Sequence, residues 1–284
     1  MSIIVPKACV IGWPVEHSLS PIVHRHWLKR HNIDGEYDRR PVPPDEIDTF
    51  LRTFAEKGLV GCNVTLPHKE AAFRLAARAS SLAQQLGAAN TLWLEDGELI
   101  ADNTDVHGFI ANLDDASPGW DNAKSALVIG AGGAARAVIA GLIGRNFESI
   151  LIVNRTLERA VSLTQWFGED HGVQLSAAPL DELNARLGDA ELIVNTTSAG
   201  MAGAPPLAVD WSAARLPAIA TDIVYVPLIT PFLAAAGAAG LTIVDGLGML
   251  LHQAAPGFHK WFGVMPEVDA GLRRQVLDAL QARA

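Results

Sequence analysis

The segment Gly130-Ala131-Gly132-Gly133-Ala134-Ala135 restricts the fold of this chain more than any other stretch. It follows the apolar run Ala126-Leu127-Val128-Ile129 and leads into a helical pattern from Arg136 to Ile143. The order is strand, tight turn, helix. The first glycine permits the turn, the next lets backbone approach a phosphate, and Ala135 is small enough for helix to pack on strand. The start of the helix adds free N–H groups and the positive end of a dipole. The pattern predicts a dinucleotide-binding turn in a domain that begins near residue 125. More than a hundred residues precede it, and these are expected to hold the substrate.

A length of 284 residues is natural for two domains. With 49% hydrophobic and 19% charged residues the chain reads as packed and globular, not disordered. A net charge of −9 argues against a nucleic-acid surface. Any phosphate or carboxylate site must therefore be built from local donors. Cys9 and Cys62 are too few for a disulfide framework and are expected as small buried groups at strand ends. Met1-Ser2-Ile3-Ile4 lacks the basic start of a signal peptide, and the apolar stretch 126–144 fits strand, turn and helix better than a membrane span. The expectation is a cytoplasmic protein with no membrane or nucleic-acid partner, as monomer or homodimer, acting on a small molecule.

Strands and helices alternate through the chain, which makes it α/β. Ala8–Gly12 reads as a strand, and Ser20-Pro21 opens a helix with Ser20 as N-cap. Residues 37–42 read as a strand, 45–57 as an amphipathic helix stopped by Gly58, and 59–65 as a strand. Pro67 starts a helix, and 88–94 is a strand entering an Asp96-Gly97 hairpin turn. The polar stretch 114–124 is taken as a linker. Beyond it come strands near 126–129, 149–153, 173–176, 191–195, 218–223 and 241–244, and helices at 157–167 and 181–187. Residues after Gly246 are helical again and are expected to return to the first domain. The domains are then 1–113 with 247–284, and 114–246.

The strand after the glycine turn ends in Asn154-Arg155-Thr156, with Arg159 one turn on. An acid there would suit a ribose hydroxyl, whereas two guanidiniums suit a 2′-phosphate, so NADP is expected over NAD. Three further clusters lie upstream. Gly12-Trp13-Pro14-Val15-Glu16-His17-Ser18-Leu19-Ser20-Pro21 puts two hydroxyls at a strand-to-helix turn. Asn63-Val64-Thr65-Leu66-Pro67-His68-Lys69 puts a lysine in the first turn of a helix, where the dipole repels a cation. Such a lysine is expected to lose its proton more readily and to suit proton transfer. Asp102-Asn103-Thr104-Asp105 offers a carboxylate at another strand-to-helix turn. Singly, the serines and Asp105 would be helix caps and Lys69 a surface residue.

These clusters continue in order through Asn195-Thr196-Thr197-Ser198-Ala199-Gly200-Met201, Asp222-Ile223-Val224-Tyr225-Val226-Pro227, and Gly246-Leu247-Gly248-Met249-Leu250 with Gln253. Over nearly the whole chain they resemble the shikimate dehydrogenase family. The resemblance implies two α/β domains: a Rossmann-type NADP-binding domain, and an N-terminal substrate domain completed by C-terminal helices, with the active site in the cleft between them. It implies reversible NADPH-dependent reduction of 3-dehydroshikimate to shikimate, in aromatic amino-acid biosynthesis. Lys69 and Asp105 would be catalytic. Ser18 and Ser20 would hold the substrate carboxylate, with Thr65, Lys69, Asn90, Asp105 and Gln253 around its hydroxyls and reacting carbonyl, and Tyr225 also facing it. Gly130, Ala131, Gly132, Gly133 and Ala134 would hold the pyrophosphate, and Asn154, Arg155, Thr156 and Arg159 the 2′-phosphate. Ile223, Gly246 and Met249 would line the nicotinamide pocket.

Some positions depart from the family. Ala101 stands where glycine is common, which predicts ordinary backbone angles there. Ser80-Ser81 replace an acid, so no cofactor contact is assigned to them. Pro256-Gly257 falls inside the expected C-terminal helix, and a kink or break is predicted near 256 because proline lacks the N–H that would reach the carbonyl of His252. His24, His26 and His31 point to different faces of a helix and are read as surface or interdomain histidines, so no metal is expected. Two alternatives remain: a quinate or quinate/shikimate dehydrogenase using NAD, and a non-catalytic metabolite sensor. The sensor's expected signature is loss of the Lys69/Asp105 pair.

Overall fold

The computed structural model describes residues 5–201 and 204–282. They fall into two units, Met1–Asp105 with Leu250–Ala284, and Val106–Met249.

The first unit is built on a six-stranded mixed sheet. In chain order its elements are β1 (Lys7–Gly12), α1 (Ser20–Arg30), β2 (Glu36–Pro41), α2 (Ile47–Arg52), β3 (Gly61–Val64), α3 (Lys69–Leu75), β4 (Arg78–Ala79), α4 (Ser81–Leu86), β5 (Thr91–Glu95) and β6 (Glu98–Asp102); α5 (Asp105–Ala116) follows. The strands lie in the order β2-β1-β3-β5-β6-β4. β1 pairs in parallel with β2 and β3, and β5 runs antiparallel to β3 and β6. The β5–β6 hairpin turns at Asp96-Gly97, both with positive φ (52° and 81°), as the sequence requires of a tight turn. Cys9 lies opposite Cys62 in the β1–β3 register, and both are buried free thiols.

Local expectations are corrected at three points here. Ser20 is not the cap of α1: the N-cap is Leu19, Ser20 is already helical, and its hydroxyl is thereby released for other partners. The helix expected over 45–57 is shorter; α2 ends at Arg52, and a separate 3₁₀ turn at Phe54–Lys57 follows, stopped by Gly58 at φ 65°. His24 is neither on the surface nor interdomain. It is fully buried within the first unit, stacked 3.9 Å from the Tyr37 ring.

The second unit is a parallel six-stranded sheet. It comprises β7 (Ser125–Ile129), α6 (Gly133–Gly144), β8 (Ser149–Asn154), α7 (Leu157–Phe167), β9 (Gln174–Pro179), α8 (Leu183–Arg186), β10 (Leu192–Asn195), β11 (Ile219–Asp222), α9 (Pro231–Ala238) and β12 (Thr242–Val244). The order β12-β11-β10-β7-β8-β9 is the doubly wound dinucleotide order, whose direction reverses between β7 and β10. Parallel strands covered on both faces should read as unbroken apolar runs. Accordingly Ala126 and Val128 join one buried cluster and Leu127 and Ile129 another. Residues 114–124 do not run as an open linker. The end of α5 occupies 114–116, and Trp120 is buried in the first of those clusters, its indole N–H donating 2.8 Å to Asp114.

α10 (Leu247–Phe262) and α11 (Ala270–Gln281) close the chain. Of the kink or break expected near 256, the break is absent, since α10 runs as one helix through Pro256. Proline removes one ladder donor, but Leu251, Ala254, Ala255, Phe258 and Trp261 on either side are buried, and that packing outweighs the lost bond. The Trp261 indole donates 2.9 Å to the carbonyl of Leu92 on β5 and lies over Gly61, where a Cβ would collide with it.

Candidate active site

Lys69 is the first residue of α3, next to the N-cap His68, and Asp105 is the first residue of α5. A cation is poorly placed and an anion well placed at a helix start, so the two helices together favour this pairing. Lys69 Nζ lies 2.5 Å from Asp105 Oδ2, with both side chains largely withdrawn from water (28% and 15% exposed). Asp105 Oδ1 accepts from Asn90 Nδ2 at 2.8 Å, and the same amide nitrogen reaches Gln253 Oε1 at 3.3 Å. Lys69, Asn90, Asp105 and Gln253 are thus brought together within the first unit.

Ser18 and Ser20 are joined by their hydroxyls at 3.2 Å. The loop that carries them is held by Arg39, whose Nε and Nη2 donate to the Ser18 carbonyl at 2.9 and 2.6 Å. Thr65 leaves β3 beside this loop: its N–H donates to Ile11 at 2.9 Å, and Trp13 donates to Leu66 at 3.0 Å. A side chain at Gly12 would strike the Thr65 methyl. That close approach sets the two exit loops side by side.

The nucleotide turn is as its glycines demand. Gly130 has φ 109°, and a Cβ there would sit 2.6 Å from Thr196 Oγ1. Gly132 caps α6 without any side-chain hydrogen bond, and a Cβ at Gly132 or Gly133 would meet nothing within 4 Å. Backbone N–H groups at a helix start, with open space before them, fit a pyrophosphate. A cavity of about 460 Å³ runs from this turn past Asn154, Arg155 and Arg159 to Thr196, Thr197 and Ser198. Asn154 Nδ2 donates 2.8 Å to the Thr156 carbonyl, which shapes the loop, and Arg155 and Arg159 are exposed. The residues present fit a dinucleotide with a phosphate on its ribose.

Ile223 and Tyr225 lie in the loop after β11. Gly246 packs so tightly on that loop that a Cβ would be 2.6 Å from the carbonyls of Asp222 and Ile223, and Met249 packs on a core cluster of the second unit. The loop is pinned by Asp222, which accepts from Val224 N at 2.9 Å, Thr230 Oγ1 at 2.7 Å and Asn195 Nδ2 at 3.1 Å. Burial pushes the Asp222 carboxyl above its usual range, against those three bonds.

Comparison with known proteins agrees with this architecture. Family models match residues 10–92 (shikimate dehydrogenase substrate binding domain), 116–207 (shikimate / quinate 5-dehydrogenase) and 246–274 (shikimate 5′-dehydrogenase C-terminal domain). The chain is 52% identical over 278 residues to the shikimate dehydrogenase (NADP(+)) of Azorhizobium caulinodans, covering 98% of each. It belongs to the shikimate dehydrogenase family. A second curated member, the shikimate dehydrogenase (NADP(+)) of Mesorhizobium japonicum, is 54% identical over 95% of each chain. Among solved members, the Thermus thermophilus enzyme in complex with NADP(H) and shikimate superposes with a TM-score of 0.86 at 34% identity, covering 97% of this chain and 100% of that one. A quinate dehydrogenase from Corynebacterium glutamicum in complex with NAD gives 0.88 at 28%, covering 96% and 99%.

Within this shikimate dehydrogenase fold, sequence reasoning missed Arg39, Asn63, Thr91, Thr104 and Asp222. Asn63 carried a signal, being a polar residue in an otherwise apolar strand. Arg39 and Thr104 reach partners 21 and 149 residues away, and Thr91 and Asp222 combine a near neighbour with partners 28 and 27 residues off, so no local pattern marks the full set.

Proposed function

We propose that this chain catalyses the reversible reduction of 3-dehydroshikimate to shikimate with NADPH. The observation that carries the reading is the Lys69–Asp105 pair, backed by Asn90 and Gln253 in the first unit. NADPH, when bound, supplies the hydride that reaches the carbonyl carbon of the substrate. The oxygen left behind needs a proton, and Lys69 Nζ is the group to give it, acting as base in the reverse direction. Asp105 holds the ammonium through Oδ2 and accepts from a substrate hydroxyl. Ser18 and Ser20 receive the carboxylate by neutral hydroxyls, and Thr65, Asn90 and Gln253 orient the ring hydroxyls. Tyr225 is assigned to the substrate as well. Gly130 to Ala134 hold the pyrophosphate at the start of α6, Asn154, Arg155, Thr156 and Arg159 the 2′-phosphate, and Ile223, Gly246 and Met249 the nicotinamide. The protein's share of the chemistry is orientation and proton transfer. The same proposal places the enzyme in the cytoplasm as a monomer or homodimer, which size-exclusion chromatography and fractionation of cells would check.

The deciding assay follows nicotinamide absorbance with shikimate and quinate, each with NADP⁺ and NAD⁺. The expected result is the highest kcat/KM with shikimate and NADP⁺. A preference for quinate with NAD⁺ would replace this reading by a quinate dehydrogenase, and no turnover with any pair would leave a sensor.

A further inference from the structure

Behind the Lys69–Asp105 pair lies a run of buried hydroxyl and amide groups. Resting on the proposed reduction at this site, we propose that Thr91 is a positioning residue for the reaction. Its hydroxyl holds Asn90 with the amide nitrogen toward Asp105, and so passes the order of the buried Tyr37–Asn63 pair on to that carboxylate.

The donor directions can be worked out group by group. Tyr37, Asn63, Asn90, Thr91 and Thr104 are all at most 5% exposed, so each polar atom must find its partner inside the protein. The Asn90 carbonyl lies 3.4 Å from the Asn63 side chain and can only accept. Asn63 therefore turns its Nδ2 that way, and its Oδ1 faces the Tyr37 hydroxyl at 2.6 Å and His24 Nε2 at 3.2 Å. The phenol must donate, and His24 must carry its proton on Nε2. Asn63 Nδ2 also reaches Thr91 Oγ1 at 3.4 Å. Having accepted there, Thr91 gives its own proton to Asn90 Oδ1 at 3.0 Å. The Thr104 hydroxyl, 3.1 Å from Asn90 Oδ1, gives its proton to the nearer Gln253 carbonyl at 2.7 Å, and as an acceptor for Thr91 it lies farther off, at 3.3 Å, than Asn90 Oδ1. Asn90 Oδ1 also receives the Thr104 N–H at 2.8 Å.

With both donors on its oxygen, Asn90 has one orientation left, and its Nδ2 points at Asp105 Oδ1. Every donor from Tyr37 onward points toward the carboxylate, an alignment in which each bond polarises the next. The far end of the run matters too. Tyr37 stands there, its phenol donating to Asn63 Oδ1 at 2.6 Å. Thr91 is the place to cut this connection, because valine keeps its shape and removes only the hydroxyl.

The test is steady-state kinetics of wild type, Thr91→Val, Thr91→Ser and Tyr37→Phe with shikimate and NADP⁺ across pH, with thermal midpoints in parallel. One buried donor lost behind a charged acceptor should lower kcat of Thr91→Val by about fivefold to thirtyfold. Its KM for shikimate should move much less, and its pH profile of kcat should be displaced. Thr91→Ser should regain most of the activity. Tyr37→Phe should lower kcat less, since it removes the donor at the far end of the run, to Asn63 Oδ1, and leaves the Thr91–Asn90 bond in place. A Thr91→Val enzyme with wild-type kcat and pH profile would overturn the proposal. So would a Thr91→Ser enzyme as slow as Thr91→Val, which would make the effect one of packing. If Thr91→Val does not fold, Tyr37→Phe decides, and unchanged kinetics there would count against the role. A wild-type enzyme inert toward shikimate would instead overturn the functional reading on which the role rests.

Discussion

In the first unit the groups around Asp105 hydrogen-bond to one another, and Asn63, Asn90, Thr91 and Thr104 are all at most 5% exposed. In the second unit the groups meant for the cofactor are glycine backbone, a helix start and two exposed arginines. Both sites are proposed to hold anions in a chain of net charge −9. The first would do so with the neutral hydroxyls of Ser18 and Ser20, joined at 3.2 Å beside that network; the second would do so with bare N–H groups and guanidiniums in water. A buried, mutually satisfied network is harmed by the loss of any member, because a partner is left without its bond. An open site loses little more than the contact removed, and salt screens its charges.

The contrast can be broken most sharply at Lys69. Lys69→Ala should cut kcat by about 10²–10⁴-fold, the usual worth of a general acid, with the KM for NADP⁺ nearly unchanged. If activity survives, the proton comes from elsewhere. On the open side, the double variant Arg155→Ala/Arg159→Ala should raise the KM for NADP⁺ by about 10–100-fold, as expected for lost charge-assisted hydrogen bonds. The KM for NAD⁺ should hardly move, and high salt should shrink the difference. Equal losses for both cofactors would show that the arginines do not read the 2′-phosphate.

A third test uses pH. Burial pushes the His24 imidazole down to about 3, with the bond to Asn63 opposing it. Below pH ~6.5 the unfolded chain therefore binds a proton that the folded one does not. Stability should fall as pH drops from ~6.5 toward about 3 and level off below, with this residue adding up to ~1.4 kcal/mol per pH unit to the slope. Urea unfolding of wild type and His24→Gln at several pH values would show it, and parallel curves for the two would refute it. The smallest effect belongs to Asn154→Ala, which removes one exposed bond to the Thr156 carbonyl. It should change the KM for NADP⁺ by only about twofold to fivefold.

How much of this was legible in the sequence follows from the range of each interaction. The glycine turn, the Asp96-Gly97 hairpin and the alternation of strands and helices are set by neighbours along the chain, and the sequence shows them. Ser20 was misread as a cap because Ser-Pro fits that role locally, while the structure ends the cap one residue earlier, at Leu19. A kink or break was expected near Pro256, and the break is absent because propensity omits the packing of Phe258 and Trp261. His24 looked like a surface residue until Tyr37 and Asn63, 13 and 39 residues away, closed over it. For the site itself, the residues proposed to touch ligand stand in short motifs, whereas those that aim them, Arg39, Thr91 and Thr104, are found only through the fold.

The indole of Trp261 resting on Gly61 has a consequence for the order in which the protein is made. Val106–Met249 is a continuous stretch and can close on itself as it leaves the ribosome. The sheet of the first unit is complete in sequence by Asp102, yet the groove above Gly61 stays uncovered until Trp261 has been synthesised. At ~5–20 residues per second the intervening segment takes roughly 8–30 s to make. For that interval the nascent chain carries an unfinished half, and the oldest part of the molecule is the last to be sealed.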